Sequence, residues 1–220
     1  MRRFGNTAIA SVTVVALCTG AWLLRSGAQT HAPPQPSAAQ ASTAPGPGTG
    51  GTGPGTDHGG AHSHKPSALP PSPPDRIRIP SIHVNAPLMG LGLTPQGSLD
   101  VPPAAKKNLA GWYEAGTTPG ETGTAIVAGH VDNAEGPAVF YDLGALKKGS
   151  TIEVERRDGG TVRFSVDAVE VYDARNFPDE KVYGAAHRPE LRVITCGGGY
   201  SKATGYQGNV VVFAHLTGTH

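Results

Sequence analysis

The run Leu191-Arg192-Val193-Ile194-Thr195-Cys196, followed by Gly197, Gly198 and Gly199, is the stretch whose reading decides the fold. Apolar residues leading into one cysteine and then three glycines predict a buried strand. Such a strand carries a thiol to its own end, where the backbone can bend close to a ligand. The chain has 2 cysteines. The other, Cys18, lies in an apolar N-terminal run, so Cys196 is the only thiol in the polar part of the protein and a disulfide within that part is excluded. A lone cysteine is most often a small buried hydrophobe. A presented nucleophile is the other reading.

Thr124–Ala128 repeats the pattern, a small apolar run ending in Gly129 and His130, with Asp132 and Asn133 close behind. Two strands that end in a histidine and a cysteine predict a paired site, because a thiol is activated by an adjacent base. The surrounding sequence, from Arg76 onward, consists of short alternating runs separated by Gly, Pro, Asn and Asp, the pattern of an all-β domain. Ile77 and Ile79 share one face before Pro80 interrupts the ladder, and His83 reads as an outward strand residue. Leu88–Leu93 and Ser98–Val101 read as a hairpin around Thr94-Pro95-Gln96-Gly97. Pro137–Lys148 reads as a short helix, since Val139, Phe140, Leu143 and Leu146 recur at helical spacing before Gly149. Thr151–Glu155 and Thr161–Val166 form a hairpin about Asp158-Gly159-Gly160. The apolar phase then slips from Val166 to Val169, which predicts a bulge near Asp167 and Ala168. Asp173–Arg188 is a long polar connection of the kind that covers a site, Gly197–Gly208 is a loop, and Asn209–Leu216 is the last strand.

Composition divides the chain into residues 1–25, 26–75 and 76–220. Arg2 and Arg3 precede an uncharged apolar segment from about Thr7 to Leu24, long enough to span a bilayer as a helix. The arginines place the N-terminus inside and the rest outside the cell, and the absence of a clean A-x-A site favours an uncleaved anchor over a removed signal peptide. Residues 26–75 are rich in Ala, Pro, Gly, Ser and Thr with no apolar period, so they read as a disordered spacer. His58, His62 and His64 within it lack fixed geometry and read as solvated. A net charge of +1 with no basic block argues against a nucleic-acid partner. Asp132 and Glu135 near His130 are too few for a calcium site, and neither a metal nor a cofactor is expected.

Over Arg76–Leu216 the chain resembles the sortases, most closely the class F group of actinobacteria. The resemblance rests on I-R-I-P-S-I-H-V-N-A-P, A-G-H-V-D, F-Y-D-L-G-A-L-K-K-G, V-I-T-C-G-G and the closing N-V-V-V-F-A, in that order. It implies a closed eight-stranded β-barrel with one or two short helices, behind an N-terminal membrane helix and linker. It also implies a cysteine transpeptidase that cuts an L-P-x-T-G-like sorting signal and joins the Thr carbonyl to a peptidoglycan precursor amine. Cys196 is then the nucleophile that forms an acyl-thioester, and His130 the general acid and base. The family's third residue, an arginine on the strand after the cysteine, is missing, since no arginine follows Cys196. Asn209 occupies the matching position and can donate hydrogen bonds to an oxyanion. Arg192, which shares a strand face with Cys196 but lies about 13 Å away along it, is the rival. Hydrolysis by an exported cysteine endopeptidase and a non-catalytic surface β domain are the alternative functions.

Overall fold

A computed structural model describes residues 32–42, 67–203 and 205–220. The expected anchor with Cys18, and most of the spacer with His58, His62 and His64, lie outside the described residues. Among the described residues no helix is long and apolar enough to cross a membrane.

Alternating burial organises the strands. They are β1 (Pro74–Ile79), β2 (Val84–Leu91), β3 (Ala110–Tyr113), β4 (Gly123–Gly129), β5 (Asp132–Asn133), β6 (Gly136–Pro137), β7 (Thr151–Arg156), β8 (Thr161–Asp173), β9 (Pro189–Ser201) and β10 (Gly205–Thr219), with one short α-helix among the described residues, α1 (Asp179–Tyr183). The barrel order is β1-β2-β3-β4-β9-β10-β8-β7, and β7 closes back onto β1. Closure leaves no open sheet edge. The pairs β2–β3 and β4–β9 run parallel. The sequence expectation of an all-β, closed eight-stranded barrel is met.

Ile77, Ile79, Val127, Ile152, Val154, Phe164, Leu191, Val193 and Val212 fill the interior. A second, outer cluster joins Ala168, Val182, Ile194, Val211 and Phe213, with Ile126, Tyr172 and Phe177 against it. Residues Leu191–Thr195 of β9 are therefore buried on both faces, and the apolar pair Val193-Ile194 breaks the alternation there. Helix α1 supplies Val182 to the outer cluster.

The register shifts between Phe213 and Ala214, skipping Asp167, so the expected bulge is present. Three local expectations fail. Pro137–Lys148 is not a helix: it contains only a 3-10 turn at Leu143–Ala145. The amides of Ala138 and Phe140 bond to the carbonyls of Val131 and His130, at 2.9 and 3.0 Å, and those of Tyr141, Leu143, Ala145 and Leu146 each reach back three residues, so the segment closes separate turns rather than a helical ladder. Val139, Phe140, Leu143 and Leu146 are nevertheless buried. Ser98–Val101 is not a strand: the turn Thr94–Gly97 closes on a single Leu93–Leu99 bridge, and β2 pairs with β3 instead. Gly197–Gly208 is not a loop, because β9 and β10 extend as a hairpin to Ser201 and Gly205. Its Tyr200–Tyr206 cross-strand pair stacks at 5.1 Å between ring centroids. His83 faces solvent as expected, but from a left-handed turn (φ 57) rather than a strand.

Two parts of the stretch read as spacer contact the barrel. Buried Arg156 donates to the carbonyls of Pro70 and Pro119, at 2.5 and 2.7 Å. Gln40 accepts from Lys148 N at 2.8 Å, and Glu170 accepts from Ser42 N at 2.8 Å. Prolines lower the entropy lost when such a segment docks, so a few polar contacts suffice.

Candidate active site

Side chains alternate along a strand. Leu191 and Val193 face the barrel interior, so Arg192, Ile194 and Cys196 face outward, and Ile194 lies in the outer cluster. Thr195 turns inward, and its buried hydroxyl donates to the carbonyl of Gly129 at 2.8 Å. That bond ties the middle of β9 to the end of β4. In the parallel register Ala128 stands beside Ile194. His130 and Cys196 each follow two residues after this last pair of the ladder, His130 just beyond the end of β4. Gly129 makes room for the Val139 and Phe140 side chains, since a Cβ there would lie 2.7 Å from them. Gly198, at φ +76, lets the chain turn beyond the cysteine.

Asn209 is directly opposite Cys196 in the antiparallel β9–β10 ladder, so the two share a face. Residues so paired have Cβ atoms about 5 Å apart. Arg192 is held elsewhere. Its guanidinium bonds Glu190 at 2.8 Å and lies 4.6 Å from the Phe213 ring centre, toward the end of β9 remote from Cys196. Cys196 and Asn209 are thus paired, with His130 following the end of the neighbouring strand, and Arg192 is left in an ion pair and a packing contact.

His130 Nε2 is 2.6 Å from the carbonyl oxygen of Pro102. A carbonyl only accepts, so Nε2 carries the hydrogen and Nδ1 has the lone pair in the neutral ring. Pro102 escaped the sequence reading, and nothing in its local sequence marks a backbone carbonyl as a ring anchor. Asp132 follows on β5 and accepts from the Tyr206 hydroxyl at 2.5 Å. Glu135, weighed with Asp132 in the sequence, pairs with Lys107 at 3.1 Å.

Cys196 is open to solvent on one side and crowded on the others. Burial first, and then the Asp132 carboxylate, push its thiol above the ordinary value. Burial and the same carboxylate also raise Tyr206. Tyr141 is raised by burial, Asp142 and Asp132. Along the outer face, a cleft of about 540 Å³ opens between the turn after β2 and α1, with Leu93, Leu99, Tyr113, Ile126 and Tyr183 among its walls. Ile126 precedes His130 by four residues, about 13 Å along the strand.

A family model described as a sortase domain matches residues 77–217. The chain belongs to the sortase family. It is accordingly an enzyme of the cysteine transpeptidase type, and the stretch matched agrees with the span of the sequence resemblance. Solved sortases share the fold. The lid mutant of sortase A from Corynebacterium diphtheriae is 21% identical, covers 64% of this chain and 68% of that chain, and superposes with a TM-score of 0.51. Sortase C1 of Streptococcus agalactiae, in complex with MTSET, is 18% identical over 66% of this chain and 69% of that chain, with a TM-score of 0.50. No curated protein matches the chain.

Proposed function

We propose that this sortase is a membrane-anchored enzyme of the class F kind, with its catalytic domain outside the cell. It cleaves an L-P-x-T-G-like sorting signal between Thr and Gly and passes the new carboxyl end to a peptidoglycan precursor amine. The observation that carries the reading is the register. Cys196 lies within β9, Asn209 stands across from it, and the parallel neighbour β4 ends one residue before His130.

The raised Cys196 thiol is mostly protonated at neutral pH. Its proton therefore passes to His130 Nδ1 as the sulfur attacks the Thr carbonyl, while Nε2–H remains anchored on Pro102. The Asn209 amide donates to the resulting oxyanion, a contribution of about 3 kcal/mol for one such donor. When the C–N bond breaks, the imidazolium returns its proton to the departing glycine amine and an acyl-thioester remains. An incoming amine then loses its proton to His130, adds to the thioester carbonyl and expels the Cys196 sulfur. The cleft supports a substrate with an apolar residue upstream of the scissile bond. From Leu to Thr an extended chain spans about 10 Å, comparable with the distance along β4 from Ile126 to the site. The apolar run at residues 7–24 supports the anchor and the spacer its reach from the membrane.

The test incubates the protein with a Leu-Pro-Ala-Thr-Gly peptide and triglycine. The expected products are a mass-resolved acyl adduct on Cys196 and a ligated peptide, both lost in Cys196→Ala. Product from Cys196→Ala at the wild-type rate overturns the reading. Cleavage without ligation assigns an endopeptidase instead.

A further inference from the structure

Within this transpeptidase reading, one pair of residues beside the site has no role in the chemical steps: Asp132 and Tyr206. They are 74 positions apart in sequence and joined by a single hydrogen bond, Tyr206 Oη donating to Asp132 Oδ2. Asp132 sits two residues beyond His130, on the two-residue strand β5 that pairs with β6. Tyr206 sits three residues before Asn209, on the arm of the β9–β10 hairpin that begins at Gly205. The bond therefore crosses between the segment that carries the base and the segment that carries the oxyanion donor.

The hairpin needs such a fastening. Its ladder is interrupted between Tyr206 and Gly208, where the register shifts next to the Gly208–Gly197 pair and just below Cys196 and Asn209. Beyond the interruption only the Tyr200–Tyr206 and Gly205–Ser201 pairs continue. Gly197 and Gly198 on the facing arm contribute no side chains. An arm with a bulge at its root and glycines opposite resists bending poorly, because little packing opposes its motion.

We propose that Tyr206 and Asp132 form a clamp that positions the β9–β10 hairpin over the reacting groups. The clamp also keeps a hydrogen-bonded negative charge beside the Cys196 sulfur. Its two functions are separable in chemistry. The hydrogen bond fixes where Asn209 stands relative to His130. The charge disfavours the Cys196 thiolate. The effect of Asp132 on the thiol, and of Cys196 on Tyr206, agrees with all three lying in one electrostatic neighbourhood. The other ionisable groups of this neighbourhood are His130 after β4 and Tyr141 after β6. Tyr172 stands across from Asn209 on β8, and its partners Glu170 and Lys181 lie beyond it. None of these would reproduce a change made at position 132.

Two substitutions separate the functions. Asp132→Asn keeps an oxygen to accept from Tyr206 and removes the charge. Tyr206→Phe removes the donor and keeps the charge. Cys196 alkylation by iodoacetamide, followed against pH by mass spectrometry, reads the charge without any sorting-signal substrate, so it is independent of the transpeptidase reading. Asp132→Asn is expected to shift the alkylation profile to lower pH and to speed labelling severalfold at pH 7. Tyr206→Phe is expected to leave that profile at or above the wild-type position. In ligation assays Tyr206→Phe is expected to lower kcat about tenfold with KM little changed, while Asp132→Asn retains the clamp and loses less. An unshifted alkylation profile in Asp132→Asn overturns the charge role, and wild-type kcat in Tyr206→Phe overturns the clamp. If no variant and no wild-type protein ligates, the function reading fails while the alkylation profiles still decide the charge.

Discussion

Replacing Thr195 by Val removes one hydroxyl from the junction of the two strands that carry the site. The side chain is 3% exposed, and its hydroxyl donates to Gly129 O at 2.8 Å, one residue before each of His130 and Cys196 on their strands. Valine fills the same volume, so no cavity forms. The loss is the hydrogen bond together with the penalty of a less well satisfied buried carbonyl, about 1–3 kcal/mol. For a domain of about 150 residues the unfolding entropy is about 0.3 kcal/mol per degree, so the melting temperature is expected to fall by about 3–10 °C. Activity is expected to fall further than stability implies. The hydroxyl is the side-chain link between the two strand ends, and a misplacement of about 1 Å at a reacting group lowers rates about a hundredfold. Thr195→Ser is the control: it keeps the hydroxyl and gives up one buried methyl, worth about 0.8 kcal/mol. Differential scanning calorimetry and a peptide ligation assay at 25 °C measure both effects. Thr195→Val with an unchanged melting temperature and full ligation rate would show that the strand ends are set by something other than this bond.

The remaining predictions concern the rival third residue and one buried carboxylate. Asn209→Ala is expected to lower kcat by about a hundredfold or more with stability close to wild type, as for loss of one oxyanion donor. Arg192→Ala is expected to do the reverse, destabilising by about 3 kcal/mol through loss of the Glu190 pair and the Phe213 contact, with kcat retained. Denaturant melts and kinetics on both variants decide between them, and a kcat collapse in a well-folded Arg192→Ala would reverse the assignment. Burial alone would raise Glu170, but Lys181, Ser42 and Tyr172 outweigh it and hold the carboxyl down at about 2. A lowered carboxyl stabilises the fold above its unfolded value, near 4.5, and loses that contribution as pH falls toward 2. The stability gap between wild type and Glu170→Gln is therefore expected to be full at pH 6 and to have mostly closed by pH 2. A gap that persists in acid would refute the ionic contribution of Glu170.

Much of the barrel and the two central site residues could be read from local pattern. Ile77 and Ile79 alternate into the core, Val166 and Val169 reveal a bulge by their broken phase, and Gly129-His130 marks where β4 stops, whereas β9 runs on past Cys196-Gly197 to Ser201. These are period-2 signals, which depend only on neighbours in the chain. The failures share one cause. Val139, Phe140, Leu143 and Leu146 do have helical spacing and are buried, but their segment is pinned to the end of β4 through Val131 and His130 and closes separate three-residue turns. The Gly-rich stretch after Cys196 looks like a loop until its partner strand is known.

What the sequence determined by itself was the class of fold, with the thiol and the histidine as candidates for the site, because hydrophobic period and residue chemistry are local properties of the chain. The choice of Asn209 over Arg192 as the residue beside the sulfur, the Pro102 carbonyl behind His130 and the Tyr206–Asp132 bond were decided only by the tertiary structure. Each depends on which strands become neighbours and in what register. Barrel closure settles that by satisfying all the strands' hydrogen bonds together, and no stretch of the chain read alone contains it.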